Sequence, residues 1–190
     1  MGYKTYTTEA LVCGSRNSFT SDKSYLLFTH DAGMLWATAR SVRVEKSKQR
    51  YALQDFSIIR ASLIKGKGGW RIGSVEALGN PFMESESQRG RAGISVVVKL
   101  LRRFVHGEDP HPTIYKDAAL VLSCIAVADE EDCIDLQNQF TLRTLYSLGY
   151  VAPHESYKDL IEAKDPWSVP QKISKDGERA IELALSVSHL

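Results

Sequence analysis

Short apolar runs broken by glycine and polar turns fill the first eighty or so residues, and apolar positions at helical spacing fill the remainder. Thr5 to Cys13 alternates loosely and stops at Gly14. Lys23 to Thr29 is aromatic and apolar through Tyr25, Leu26, Leu27 and Phe28, then breaks at His30, Asp31 and Gly33. Met34 to Arg40 resumes with Leu35, Trp36 and Ala37. Leu53 to Ile64 is the longest β-branched stretch; Gly66, Gly68 and Gly69 turn the chain, and Trp70 to Leu78 returns. Five such runs predict five strands in an antiparallel barrel or sandwich. About eighty residues is the size of an OB-type barrel.

The period changes after Asn80-Pro81. From Ile94 to Phe104 the apolar positions Val97, Val98, Leu101 and Phe104 keep a helical spacing. Ile114 to Val127 predicts a second helix, entered after Pro112 with Thr113 as its cap. Asp132 to Leu148 predicts a third, with Leu136, Phe140, Leu145 and Leu148 on one face and Gly149 where a left-handed C-terminal cap belongs. A short helix is expected over Tyr157 to Ala163 and a last one over Ser174 to Ser188. Met83 to Gly93, polar and rich in Gly and Ser, reads as a linker or a frayed helix start. The expectation is an α+β chain: an N-terminal five-stranded antiparallel OB-type β-barrel over residues 1–80, then an α-helical domain over 81–190.

Composition supports burial and sharpens the division. At 190 residues and 43% apolar content the chain can bury a core without disulfide or metal staples. Net charge is +1, but residues 1–80 hold twelve cations against six carboxylates, which is +6 and leaves −5 for the rest. The basic part suits a polyanion and the acidic part repels one. Cys13, Cys124 and Cys133 are too few and too far apart for a disulfide framework or a CxxC knuckle. No apolar run reaches the roughly 18 residues of a membrane span. Met1 to Glu9 is polar, without a signal-peptide core. A reducing cytoplasm and no membrane contact are expected.

The densest chemistry lies between two of the expected strands. Arg40, Arg43, Lys46, Lys48 and Arg50 fall in one short window, opposed only by Glu45. Several flexible cations on one surface are what phosphate binding needs, because each neutralised phosphate releases condensed counterions. Trp36 and Tyr51 nearby can add base stacking. The plain alternative is a solvated turn between strands.

Particular residues in this window resemble a known family. Phe28-Thr29, Gly33, Ala39-Arg40, Arg43, Ser47, Arg50 and Ala52-Leu53-Gln54 with Phe56 follow the N-terminal pattern of RecO, the bacterial recombination mediator, without a gap from Gly33 to Phe56. Far downstream, Phe140, Leu142, Leu145, Leu148, Gly149 and Tyr150 follow the Phe-x-Leu-x-x-Leu-x-x-Leu-Gly-Tyr pattern of the RecO helical domain. The resemblance implies an OB-fold followed by a helical bundle, binding of single- and double-stranded DNA, and annealing of complementary strands. It also implies loading of RecA onto DNA coated by single-strand-binding protein, in company with RecR and without catalysis. Arg40, Arg43, Lys46 and Arg50 then inherit DNA contacts; Lys48 is basic in this sequence alone. Ser41 stands where the family has Gly and Asp55 where it has Pro. No cysteine follows Tyr150 in this sequence, so the family's cysteine-ligated zinc module is not expected after that motif. A protein-interaction adaptor built on an OB barrel is the competing expectation.

The resemblance further implies that the acidic, hydrophobic-ended tail of single-strand-binding protein docks on the helical half. In a half that is net acidic, Arg102 and Arg103, between Leu100 and Phe104, form a basic and apolar patch, and Arg143 offers a second. Arginine beside an apolar slot suits carboxylate capture. Other constellations carry less. His106, Glu108, Asp109 and His111 sit in a loop closed by prolines, His30-Asp31 lies in a turn near Ser24, and Gly66-Lys67-Gly68-Gly69 lacks Walker spacing. No metal, cofactor or catalytic site is expected. Elemental analysis of the purified protein should accordingly find no stoichiometric zinc; zinc together with unfolding on chelation would contradict this.

Overall fold

The computed structural model describes residues 5–18, 21–44, 47 and 49–187. Among these, five strands form a closed barrel in the order β1-β2-β3-β5-β4: β1 (Thr5–Asn17), β2 (Lys23–Thr29), β3 (Gly33–Ala39), β4 (Ile58–Gly66) and β5 (Gly69–Gly79). The helices are α1 (Gln49–Ala52), α2 (Pro81–Glu84), α3 (Gln88–Phe104), α4 (Pro112–Val127), α5 (Glu130–Ser147), α6 (Lys158–Glu162) and α7 (Lys175–Val187). The chain divides into two compact units. One holds everything up to Met83 together with Leu101–Lys116; the other holds Glu84–Leu100 and the chain from Asp117 onward. The sequence divides at residue 80, whereas the structural division follows Met83 and assigns the end of α3 and the start of α4 to the barrel.

The barrel closes because β1 serves two neighbours. Its first half pairs with β4, from Thr5 opposite Ile64 to Leu11 opposite Ile58. Its second half pairs with β2, from Ala10 opposite Thr29 to Asn17 opposite Lys23. A bulge between Val12 and Gly14 bends the strand from one partner to the other. The pairings are antiparallel except the last, where β3 meets β5 in parallel through Ala37 opposite Trp70 and Thr38 opposite Arg71. Alternate residues point inward: Leu35, Ala37 and Ala39 of β3 and Ile59, Ala61 and Leu63 of β4 share one core with Val12, Tyr25, Leu27 and Ile72. The barrel is of OB type, and helices follow it.

Half of the outer face of β1–β3 is also buried. Leu11, Cys13, Phe28 and Met34 point away from the barrel interior and are nonetheless inaccessible. Tyr115 of α4 meets Phe28 edge-on at 5.7 Å between ring centroids. The loop before α4 lies on the β2–β3 turn, where the Met34 N–H donates to the Gly107 carbonyl at 2.8 Å. Gly33 makes this approach possible: its φ is +65°, and a Cβ there would lie 2.4 Å from the Asp109 carbonyl oxygen. Glu108 fixes the other side of the loop, accepting from Lys65 Nζ at 2.6 Å and from the Trp70 indole N–H at 2.9 Å. These bonds, the one from Lys65 foremost, hold its carboxyl below the usual carboxylate range.

One boundary departs from the sequence expectation. The run from Leu53 is not all strand: Leu53 follows α1 and fills the barrel core, Phe56 takes φ +71°, and β4 starts only at Ile58. Of the two readings of Met83 to Gly93, the helix start holds, with residues 85–87 joining α2 to α3. α3 starts at Gln88, and its Gly90 is small for packing, since a Cβ there would lie 2.3 Å from Ser85 Oγ and 3.1 Å from the Ile125 carbonyl. The acidic run Asp129 to Asp132 opens α5. Asp129 caps α5 by accepting from the Glu131 and Asp132 N–H groups, and Glu130, Glu131 and Asp132 form its first turn. Gly149, at φ +79°, ends the helix as its pattern requires, with the Tyr150 N–H returning to the Leu145 carbonyl at 2.8 Å.

Gly33 and Gly107 share a left-handed backbone but not a crowded setting, since nothing lies within 4 Å of a Cβ on Gly107. Gly107→Ala should cost about 1–2 kcal/mol of conformational strain. Gly33→Ala should cost clearly more, about 3 kcal/mol or above, because the loop must also shift. Chemical denaturation of both variants checks this; equal losses would contradict the packing role assigned to Gly33.

Candidate nucleic-acid interface

Arg40, Arg43 and Arg50 are exposed around α1, on the connection between β3 and β4; Lys46 and Lys48 lie outside the described residues. Val42 anchors the connection by entering the barrel core. Backbone bonds hold its flanks: the Ser41 N–H donates to Asp22 Oδ1 at 2.8 Å and the Arg43 N–H to the Ser21 carbonyl at 3.1 Å. With the apolar residue facing in, the cations face out. Two concavities flank α1. Lys23, Arg43 and Arg50 line one of about 500 Å³, where Asp55 is the carboxylate and accepts from Ser15 Oγ at 3.0 Å. Arg40, Arg71 and Gln49 line the other, of about 260 Å³. Arg50 donates to the Tyr51 hydroxyl at 3.0 Å and lies over that ring, which is 64% exposed.

A second basic surface begins on the adjacent sheet. The Arg16 guanidinium lies 4.2 Å from the centroid of the Trp36 ring, which is 39% exposed. Arg102, in the last turn of α3, borders the same face: a Cβ on Gly14 would sit 3.5 Å from its Nη1. Among the described residues Arg16, Arg40, Arg50 and Arg102 take no carboxylate partner. Their charge is therefore directed at solvent rather than neutralised within the fold.

No family model matches the chain. It does align with curated proteins named DNA repair protein RecO. It is 28% identical to that of Desulfitobacterium hafniense over 146 residues, covering 76% of this chain and 52% of the relative. It is 28% identical to that of Pelotomaculum thermopropionicum, covering 77% and 56%, and 26% identical to that of Syntrophobacter fumaroxidans, covering 80% and 60%. In sequence the chain is RecO-like. It spans between half and three fifths of the length of these relatives.

The two departures from the RecO pattern can be placed. Ser41 adopts φ +52°, the left-handed backbone that the family's Gly would take freely, and Asp55 has exchanged a proline's rigidity for a side-chain bond to Ser15. In the RecO-like helical motif, Arg143 is internal. Its Nη1 donates to the Leu160 and Ile161 carbonyls at 2.7 and 2.6 Å, its Nε to Asp117 Oδ2 at 3.3 Å, and its guanidinium lies over Trp167. It ties α4, α5 and the end of α6 together, so the exposed docking role expected of it does not fit its position. Arg102 and Arg103 are exposed and belong to the barrel unit; Arg103 lies over Phe104.

The remaining constellations have other employment. His30 Nδ1 pairs with Asp31 Oδ1 at 2.7 Å, but Ser24 Oγ bonds Thr38 Oγ1 at 3.0 Å, so the three do not assemble. Glu108 is committed to Lys65 and Trp70. Gly66 pairs with Gly69 across a tight β4–β5 hairpin. Burial pushes the Cys13 thiol up to about 12, that of a buried, unreactive side chain. Among the described residues no three His, Cys, Asp or Glu groups gather to hold a metal, and no helix is long and apolar enough to cross a membrane.

Sequence reasoning located the loop cations but missed Arg16, Lys23 and Arg71, whose approach to the site depends on strand register. The alternation Trp36, Thr38, Arg40 was the one available signal that an aromatic and a cation share a face. Arg143→Ala should destabilise the chain by about 3 kcal/mol, because Asp117 is left without its cation and three carbonyls without a donor. Arg143→Lys should recover little of this, an ammonium being unable to span carboxylate and carbonyls together. Denaturant titration checks both, and a near-neutral Arg143→Ala would contradict the internal role.

Proposed function

We propose that this chain is a DNA-binding protein of DNA repair and recombination that acts as a mediator, without catalytic turnover. It holds single- and double-stranded DNA through Arg40, Arg43 and Arg50, with Lys46 and Lys48 of the same connection. The observation that carries this reading is the gathering of Lys23, Arg40, Arg43, Arg50 and Arg71 around α1, in two concavities with Asp55 as the carboxylate. Such a surface matches a sugar-phosphate backbone, to which guanidinium groups bind by paired hydrogen bonds. The repair context comes from the RecO proteins that the chain resembles. Strand annealing, loading of RecA on DNA coated by single-strand-binding protein, and partnership with RecR belong to the same proposal. For the acidic tail of single-strand-binding protein we retain Arg102 and Arg103, both exposed in the last turn of α3, with Phe104 beside them.

Fluorescence anisotropy with labelled single- and double-stranded DNA at several salt concentrations tests the reading. Wild type should lose affinity steeply as salt rises. The folded Arg40→Ala/Arg43→Ala double variant should bind more weakly and show a salt slope flatter by about 0.7–0.9 for each lost contact. Unchanged affinity and slope in that variant would remove the loop from the interface. Absence of salt-dependent DNA binding by wild type would favour the adaptor instead.

A further inference from the structure

We propose that the open half of the β1–β3 outer face is a subsite for unpaired bases, with Trp36 as its stacking platform and Arg16 and Arg102 as flanking phosphate contacts. This rests on the DNA-binding reading above and narrows it to a substrate class, strands whose bases are not already stacked in a duplex.

Register brings the parts together. Gly14 pairs with Leu26, and Leu26 with Trp36, so these three lie side by side across β1, β2 and β3. One step along, Arg16 pairs with Ser24 and Ser24 with Thr38. All six positions point to the outer face, and none of them is a carboxylate. Toward the β2–β3 turn the same face is closed by Tyr115 and the loop before α4; here Ser24 is buried between its neighbours, but Arg16 and Trp36 reach solvent. Leu26 is half-buried and Trp36 more than a third exposed. Gly14 supplies no side chain, which leaves the room that Arg102 occupies from α3.

The chemistry of the patch is specific. A large ring on a solvent-facing sheet, already carrying a flat guanidinium at 4.2 Å, shows that a planar group fits over it. A base can take that position or extend the stack beyond Arg16, since guanidinium planes and indole faces both stack on bases. The displaced or stacked arginine stays next to the strand and meets its phosphate. A duplex cannot offer a base face to a sheet, so the subsite responds to single strands alone, whereas the cations around α1 respond to both. The alternate series Trp36, Thr38, Arg40 leads from the platform toward those cations, giving a strand one continuous path.

The test uses anisotropy with a single strand, a duplex and an abasic single strand of equal length. Trp36→Ala should lower single-strand affinity about tenfold and leave duplex affinity unchanged; Trp36→Phe, which keeps a ring, should restore most of the loss. Wild type should bind the abasic strand about as weakly as Trp36→Ala binds the ordinary one. The Arg40→Ala/Arg43→Ala variant should weaken all three complexes. A folded Trp36→Ala that binds the single strand like wild type, or that loses single strand and duplex equally, overturns the subsite and leaves the loop interface standing. Failure of wild type to bind any of the three overturns the DNA reading and the subsite with it.

Discussion

The close approach of the loop before α4 to the β2–β3 turn is the constraint on which the barrel unit depends. It is a backbone-to-backbone contact, and a single missing Cβ, at Gly33, permits it. Because the loop lies so near, Leu101, Phe104, Val105, Ile114 and Tyr115 are buried in the same unit as the strands. The outer residues Leu11, Cys13, Phe28 and Met34 gain a second apolar layer that a bare five-stranded barrel would not have. The loop covers only part of that face. What it leaves uncovered is where Trp36 and Arg16 meet solvent.

The double burial also explains what was legible in the sequence. β4 alternates cleanly over Ile59 to Leu63 because one of its faces lines the core. β2 reads as a continuous apolar run, Tyr25-Leu26-Leu27-Phe28, because Tyr25 and Leu27 face the barrel interior while Phe28 faces Tyr115 of α4. The five strands and four of the longer helices were therefore legible from periodicity. The start of α3 was not. Gly90 and Ser85 signal flexibility when read locally, yet here small size serves a close contact with Ile125. α1 was missed because four residues hold too little periodicity to be seen.

The candidate site was legible where its residues are neighbours in sequence and hidden where they are neighbours only in space. Arg40, Arg43 and Arg50 announce themselves as a cluster. Arg16 is a lone cation in sequence and Arg102 reads there only as part of the Arg102-Arg103 pair; the β1–β2–β3 register and the Gly14 gap bring the two to one face. Arg143 shows the reverse error. A cation near an apolar helix face looks like a docking element, but burial with Asp117 and three carbonyls turns it into a brace. Local charge identifies a candidate; its hydrogen-bond partners decide whether it is offered outward.

The parallel seam between β3 and β5 gives the barrel a preferred place to breathe. Among the described residues that pairing consists of Ala37 with Trp70 and Thr38 with Arg71, whereas each antiparallel ladder runs for most of a strand's length. Local opening follows the route that breaks fewest bonds. Here that route separates β3 from β5, on either side of the concavity that Arg40 and Arg71 share. Arg40 and Arg71 thus flank the shortest ladder of the barrel, and the concavity they share lies where the fewest backbone bonds hold its two sides together.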